Sequence, residues 1–175
     1  MVAREQDRGV DGNGWVRCAQ GHRHWGRFGA AGLLVLATGR VLLAHRALWS
    51  HHGGTWGIPG GARDSAETAQ ATALREAAEE TGLDAASVVV SDETVDDHGG
   101  WSYTTVHATL RGEPPALHPT DGEATELAWV PVGEVDALLL HPGFAGFWHG
   151  PDAPSHSSRT SAPQALPWTH GPGSQ

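Results

Sequence analysis

Gly61-Ala62-Arg63-Asp64-Ser65-Ala66-Glu67-Thr68-Ala69-Gln70-Ala71-Thr72-Ala73-Leu74-Arg75-Glu76-Ala77-Ala78-Glu79-Glu80-Thr81-Gly82-Leu83 decides the reading of this chain. Its spacing is G-x5-E-x7-R-E-U-x-E-E-x-G-U, where U is an apolar residue of any size. The stretch predicts one helix with clear punctuation. Asp64 is the expected cap of its first turn, with Glu67 reaching back three residues later as in a capping box. Gly82 suits the left-handed position past its end. Ala69, Ala71, Ala73, Leu74, Arg75, Ala77 and Ala78 between them favour or tolerate helix. On that helix Glu76 has Glu79 and Glu80 as its i+3 and i+4 neighbours, so three carboxylates share one face. Leu74, Ala77, Ala78 and Thr81 fall toward the other side, where they can pack on a sheet. Like charges this close repel and drive one of the acids toward its protonated form, a conflict that a divalent cation removes. The alternative is a solvated helix face carrying acids that do nothing.

At every specified position this stretch resembles the Nudix box, the signature of the Nudix hydrolase family. Seven identities are fixed: Gly61, Glu67, Arg75, Glu76, Glu79, Glu80 and Gly82. With each residue type at about one position in ten, a chance match at a given start is on the order of one in ten million, which favours the resemblance over the solvated face. Ala77 departs from the larger aliphatic residue usual in the family, and it bears on packing behind the helix. The resemblance implies an α/β Nudix fold, a mixed β-sheet sandwiched between α-helices with the box as loop–helix–loop. It also implies a hydrolase acting on phosphorus-containing anhydrides with a metal held by Glu76, Glu79, Glu80 and a glycine-turn carbonyl. That carbonyl is assigned to Gly61, with Gly60 as the near alternative. Oxygen ligands beside phosphate point to Mg2+, with Mn2+ as a substitute. Glu67 would order the loop–helix junction or assist a metal, and Arg75 would clamp one acid by a bidentate contact.

The flanks read as alternating strands and turns. Residues 28–37 end in Leu33-Leu34-Val35-Leu36, a buried-strand signature, and Thr38-Gly39 turns the chain into Val41-Leu42-Leu43-Ala44. Residues 47–55 form a loop before Trp56–Ile58. Ser87–Val90, Trp101–Ala108 and Leu127–Val130 have strand character, and the second of these alternates in period two. Glu134–Leu140 reads as helical, and Phe144–Trp148 adds a last turn or two. The likeness spans about residues 28–148, giving a flexible N-terminus at 1–14, a Nudix domain at 15–149 and a disordered or loosely attached tail at 150–175.

Outside the box, Arg46 closes the second strand, where the family often places a basic residue on a substrate phosphate; otherwise it is an exposed strand-end arginine. Glu123 lies on a loop shortly before a strand. Relatives there carry a further metal ligand or the base that takes the water's proton, and Glu123 is preferred to Asp121 or Glu126. Trp56, Trp101 and Tyr103 offer flat faces to a nucleobase or, equally, to the core. Cys18, His22 and His24 form C-x3-H-x-H, which suits zinc if a fourth ligand exists; His45, His51, His52 and His98 are available. The other reading is a surface loop that happens to be rich in histidine.

The 175 residues suggest one domain, and a net charge of −9 without a basic stretch argues against a nucleic-acid polymer as partner. All eleven basic residues are arginine. The single cysteine, Cys18, admits no internal disulfide, and no membrane-spanning run or signal-peptide core is visible. The expectation is a cytoplasmic protein acting on a small phosphorylated substrate, with a homodimer open. The resemblance is nearest to MutT-like members that cut a (deoxy)nucleoside triphosphate to monophosphate and pyrophosphate. Gly99 and Gly100 stand where ADP-ribose hydrolases carry a proline, the extended motif of NADH pyrophosphatases is missing, and Tyr103 is too far along for the dinucleoside-polyphosphate pattern. The alternatives are an isoprenoid or sugar diphosphate as substrate, or a non-catalytic nucleotide-binding module.

Overall fold

The computed structural model describes residues 11–154, so most of the expected loose N-terminus and tail lies outside the described residues. In chain order the strands are β1 (Trp15–Arg17), β2 (Arg23–Trp25), β3 (Ala30–Ala37), β4 (Arg40–Arg46), β5 (Trp56–Gly57) and β6 (Gly60–Ala62). Helix α1 (Ala69–Thr81) follows, then β7 (Val88–Asp97), β8 (Ser102–Leu110), β9 (Ala124–Pro131) and helix α2 (Pro142–Trp148). The main sheet runs β5-β4-β3-β8-β7, with β6 also pairing β3 and β9 also pairing β4. It is mixed: β3 and β8 are parallel, whereas β4 and β9 are antiparallel. β1 and β2 form a separate hairpin.

Leu33-Leu34-Val35-Leu36 is apolar throughout because both faces of β3 are covered. Leu33 and Val35 join Leu42, Val106 and α1 residues Ala73 and Ala77 in one core layer. Leu34 belongs to the other, with Val41, Leu43, Val130, Phe144 and Trp148 of α2. The two-residue turn between β3 and β4 has Thr38 at φ 46° and Gly39 at φ 74°. Positive φ at both positions matches the twist of paired strands.

The box helix starts later than the sequence suggests. Thr68 is its cap, with Oγ1 accepting from the Ala71 N–H at 3.1 Å. Asp64 instead accepts from the Gly12 N–H through Oδ1 at 2.8 Å. Glu67 still reaches back to the Asp64 N–H, at 3.4 Å, but within a turn that precedes the helix. With its carboxylate bound to Gly12, Asp64 leaves the capping position to Thr68. Gly82 ends the helix at φ 71°, its N–H donating to the Ala78 carbonyl, as expected of a left-handed cap.

Three further differences concern the flanks. Glu134–Leu140 is not an α-helix: a 3-10 turn covers Val132–Ala137, and the following residues are extended. The reason is pairing, since the Trp56 N–H donates to Leu139 O and the His141 N–H to Trp56 O. β7 continues through the polar run Ser91–Asp97, with a register shift between Val90 and Asp92. It is mostly exposed there and carries no apolar alternation to announce it. The β1–β2 hairpin was not anticipated either, because three-residue strands leave too short a pattern to read.

Replacing Thr68 by Ala is expected to lower the unfolding free energy by about 1 kcal/mol through loss of the helix cap. A urea titration with unchanged slope and a lower midpoint is the check.

Candidate active site

Arg75 organises the acids. Its Nε and Nη2 donate to Glu67 Oε1 and Oε2 at 2.8 and 2.9 Å, a bidentate pair. Nη1 donates to Glu76 Oε1 at 2.7 Å and to Glu79 Oε2 at 3.0 Å. The remaining Nη2 proton reaches the Ala62 carbonyl at 3.2 Å. One side chain thus ties the helix to the turn before it and to β6. The bidentate contact expected on Glu76, Glu79 or Glu80 is made instead to Glu67, and Glu76 and Glu79 each take a single bond. The Arg75 hydrogen bonds hold the Glu67 carboxyl down at about 2 against the opposing effect of burial, and Thr72 Oγ1 adds a bond at 2.8 Å.

Glu76 and Glu80 are the two recessed acids. A Cβ on Gly61 would fall 2.5 Å from the Glu76 carboxyl carbon. Glycine at this position therefore lets the carboxylate lie directly against the β6 backbone. Gly60 is needed for a different reason: a Cβ there would meet the Ala31 carbonyl oxygen of β3 at 2.5 Å. Glu80 is 6% exposed, and its Oε2 accepts from the Gly60 N–H at 3.3 Å. Burial, then the charges of Glu76 and Asp121, push its carboxyl up to about 8. Burial raises Glu76 too, opposed by Arg75. Glu79 is exposed and engages Arg75.

A loop brings in more acid. Thr120 donates from its N–H to Glu80 O at 3.1 Å and from its hydroxyl to Glu79 O, capping the end of α1. The Ala47 N–H donates to Glu123 O at 2.8 Å, and the Glu123 N–H to Asp121 Oδ1 at 2.9 Å. As a result one carboxylate oxygen from each of Glu80, Asp121 and Glu123 lies within 4.8 Å of the others. The sequence favoured Glu123 and set Asp121 aside; the structure brings both to Glu80. Glu126 lies in β9 opposite His45, outside that group.

Ala44, Arg46, Ile58, Glu80, Glu123 and Ala124 line a small cleft. Arg46 reaches it from the end of β4 while its Nε donates to His51 O at 3.0 Å. Tyr103 is partly buried, and a Cβ on Gly32 would collide with its hydroxyl and with Ile58. Burial, then the Glu80 charge, raises the phenol well above its ordinary value. Trp56 packs on the second core layer with its ring 5.0 Å from that of His45. Trp101 is turned elsewhere: it stacks on His24, and its Nε1 donates to the Gly26 carbonyl at 3.0 Å.

These donors fit a hard divalent cation. They are all oxygen, they crowd negative charge into a recess that resists ionisation, and Gly61 keeps the neighbouring backbone bare.

Residues 26–148 match the family model described as NUDIX domain. The chain belongs to the Nudix hydrolase family. A Mycobacterium tuberculosis (strain H37Rv) protein named "Putative 8-oxo-dGTP diphosphatase 3" is 53% identical over 155 residues, covering 82% of this Nudix chain and 70% of that protein. A Bifidobacterium longum protein named "Nucleoside triphosphate pyrophosphatase/Nudix hydrolase fusion protein" is 42% identical over 145 residues, covering 78% of this chain and 30% of that one. Among solved structures, the Nudix hydrolase RenU from M. smegmatis superposes with a TM-score of 0.73 at 48% identity, covering 78% of this chain and 91% of that chain. The α/β Nudix fold and hydrolase class implied by the box are therefore those of this protein. Among the described residues of this Nudix hydrolase, no helix is long and apolar enough to cross a membrane.

The Arg75–Glu67 pair sets an acid-stability prediction. Glu67 titrates at about 2 in the folded chain against an ordinary 4.5, so its contribution is present above pH 4.5 and is lost as pH falls through about 2. Glu67→Gln is expected to destabilise by about 2 kcal/mol at neutral pH. Denaturant titrations across pH should show the gap to the parent chain closing between about pH 4.5 and pH 2.

Proposed function

We propose that this Nudix hydrolase is a divalent-metal-dependent enzyme that converts a (deoxy)nucleoside triphosphate and water to the monophosphate and pyrophosphate. The observation that carries this reading is the convergence of Glu80, Asp121 and Glu123 beside Glu76, over bare glycine backbone and facing a cleft with one arginine at its rim. Anhydride cleavage of a polyphosphate needs positive charge beside the phosphates and a base for water. The name of the M. tuberculosis relative supports a triphosphate and makes 8-oxo-dGTP the first substrate to test.

Glu76, Glu79 and Glu80, with the Gly61 carbonyl, would hold Mg2+, or Mn2+ in its place. When bound, the cation polarises phosphate oxygens and makes water a stronger nucleophile at neutral pH. Arg75 positions the acids, neutralises part of their mutual repulsion and keeps Glu67 at the loop–helix junction. Glu123, on the exposed loop, takes the proton of the attacking water on its carboxylate. Arg46 contacts a phosphate oxygen of the substrate. Trp56 and Tyr103 remain the aromatic side chains proposed to touch the substrate, Tyr103 from its slot beside the cleft residue Ile58. The expected cellular setting remains the cytoplasm.

Glu80→Gln keeps an acceptor for the Gly60 N–H but removes the charge. It is expected to retain the circular dichroism of the parent while losing several orders of magnitude in Mg2+-dependent kcat. Turnover of 8-oxo-dGTP or dGTP should release pyrophosphate, resolved from orthophosphate by chromatography; undiminished turnover by Glu80→Gln refutes the assignment. Gly61→Ala places a methyl group against the Glu76 carboxylate and is expected to weaken Mg2+ binding roughly tenfold, about 1.4 kcal/mol, in a calorimetric titration.

A further inference from the structure

A second cluster of ligating side chains lies away from the acids, where the β1–β2 hairpin meets the β7–β8 turn. Cys18 and His22 sit in the hairpin turn, closed by bonds from the Cys18 N–H to His22 O at 3.0 Å and from the Gly21 N–H to Cys18 O at 2.9 Å. His24 follows on β2, and His98 sits in the turn after β7. The Ala19 N–H donates to Gly99 O at 2.8 Å and brings the two turns together. One ligand atom from each of Cys18, His22, His24 and His98 lies within 4.8 Å of the other three. The sequence supplied three of these and left four histidines open as the fourth. The structure selects His98, while His51 and His52 group with His141 instead.

The ring nitrogens make the case for a ligand. His24 Nε2 and His98 Nδ1 are buried without a hydrogen-bond partner. Leaving such an atom unsatisfied costs on the order of 1–3 kcal/mol, so two on rings whose centroids are 4.6 Å apart point to a missing partner common to both. His98 presents its other nitrogen, Nε2, to Asp96 Oδ2 at 3.0 Å. A carboxylate on the far side of an imidazole fixes the tautomer and frees the near nitrogen to bind metal. His24 is oriented as firmly. Its ring stacks on Trp101 at 3.9 Å between centroids and 12° between planes, and Trp101 is itself pinned to Gly26 O.

We propose that Cys18, His22, His24 and His98 bind one zinc ion that fastens the β1–β2 hairpin to the β7–β8 turn. One thiolate and three imidazoles form a closed four-ligand set of the structural type, with no position reserved for substrate. The mixed sulfur and nitrogen donors select zinc over the hard cation that suits the carboxylates. On binding, the Cys18 thiol gives its proton to solvent and its sulfur bonds the metal; no oxidation is involved. The hairpin also touches the box, since the Arg27 N–H donates to Gly12 O and the Gly12 N–H to Asp64. The ion therefore steadies a segment that leans on the turn before α1.

The test uses the full chain without a histidine tag, stripped with chelator and titrated with Co2+ and then Zn2+. The expected result is one equivalent of cobalt with intense tetrahedral visible bands and a thiolate charge-transfer band, displaced by zinc, and a raised Tm with zinc. Cys18→Ser should abolish the charge-transfer band, and Asp96→Asn should weaken zinc binding about 10–100-fold. Asp96 is exposed, so its variant reports even if Cys18→Ser fails to fold. Cobalt that shows only weak octahedral bands, or binding that neither variant changes, overturns the proposal.

Discussion

A single guanidinium holds the active face together. Arg75 has five N–H donors in a rigid fork, and each meets an oxygen: two on Glu67, one each on Glu76 and Glu79, and the Ala62 carbonyl. Lysine carries the same charge but cannot reproduce that planar set of contacts. The fork joins three pieces of chain, the glycine strand β6, the turn before α1 and the acid-bearing stripe of α1 itself, and adds to the bonds from Gly60 to Glu80 and from Thr72 to Glu67. The carboxylates stand where they do because an arginine that is never free to leave occupies the space between them.

The arrangement stores electrostatic strain next to that anchor. Glu80 is buried and Glu76 partly so, and burial pushes both toward the neutral form. Arg75 relieves Glu76, whereas at Glu80 the Gly60 N–H opposes the upward push of burial. A recess that penalises its own charge is a recess that rewards a cation. The same chain shows a different problem at the Cys18–His98 cluster, where buried ring nitrogens lack a partner. The two sites divide hard and soft ligands between them, one on the box and one on the hairpin.

Much of this was legible in the sequence wherever the chemistry is local. The box carries its meaning in spacing: Glu76, Glu79 and Glu80 are helical neighbours in any structure that lets residues 69–81 coil, and Gly82 can end them. Leu33-Leu34-Val35-Leu36 announced a strand covered on both faces. What escaped depends on contacts far apart in the chain. Asp64 resembled a cap until Gly12, distant in sequence, claimed its carboxylate. Asp121 was undervalued because only the bonds from Thr120 to the last turn of α1 bring it to Glu80. Glu134–Leu140 has helical composition, yet Trp56 takes its backbone into an extended pairing. Tyr103 reads as a stacking platform, whereas Gly32 opens a slot that its hydroxyl fills. His98 was one of four equal candidates until Gly99 and Ala19 joined two turns.

The attachment of the acidic loop has a consequence for how such a protein diversifies. Asp121 and Glu123 are placed by main-chain bonds at either side, from Thr120 to Glu80 and from Ala47 to Glu123, rather than by the length or composition of residues 111–119. That segment touches the body through Arg111, bonded to Ala86 O and Ser87 O, through the Pro115 carbonyl, held by Trp129, and through Leu117. Insertions or replacements between those footholds leave the carboxylates in register. Latitude in sequence is thereby confined to a stretch that carries none of the clustered acids.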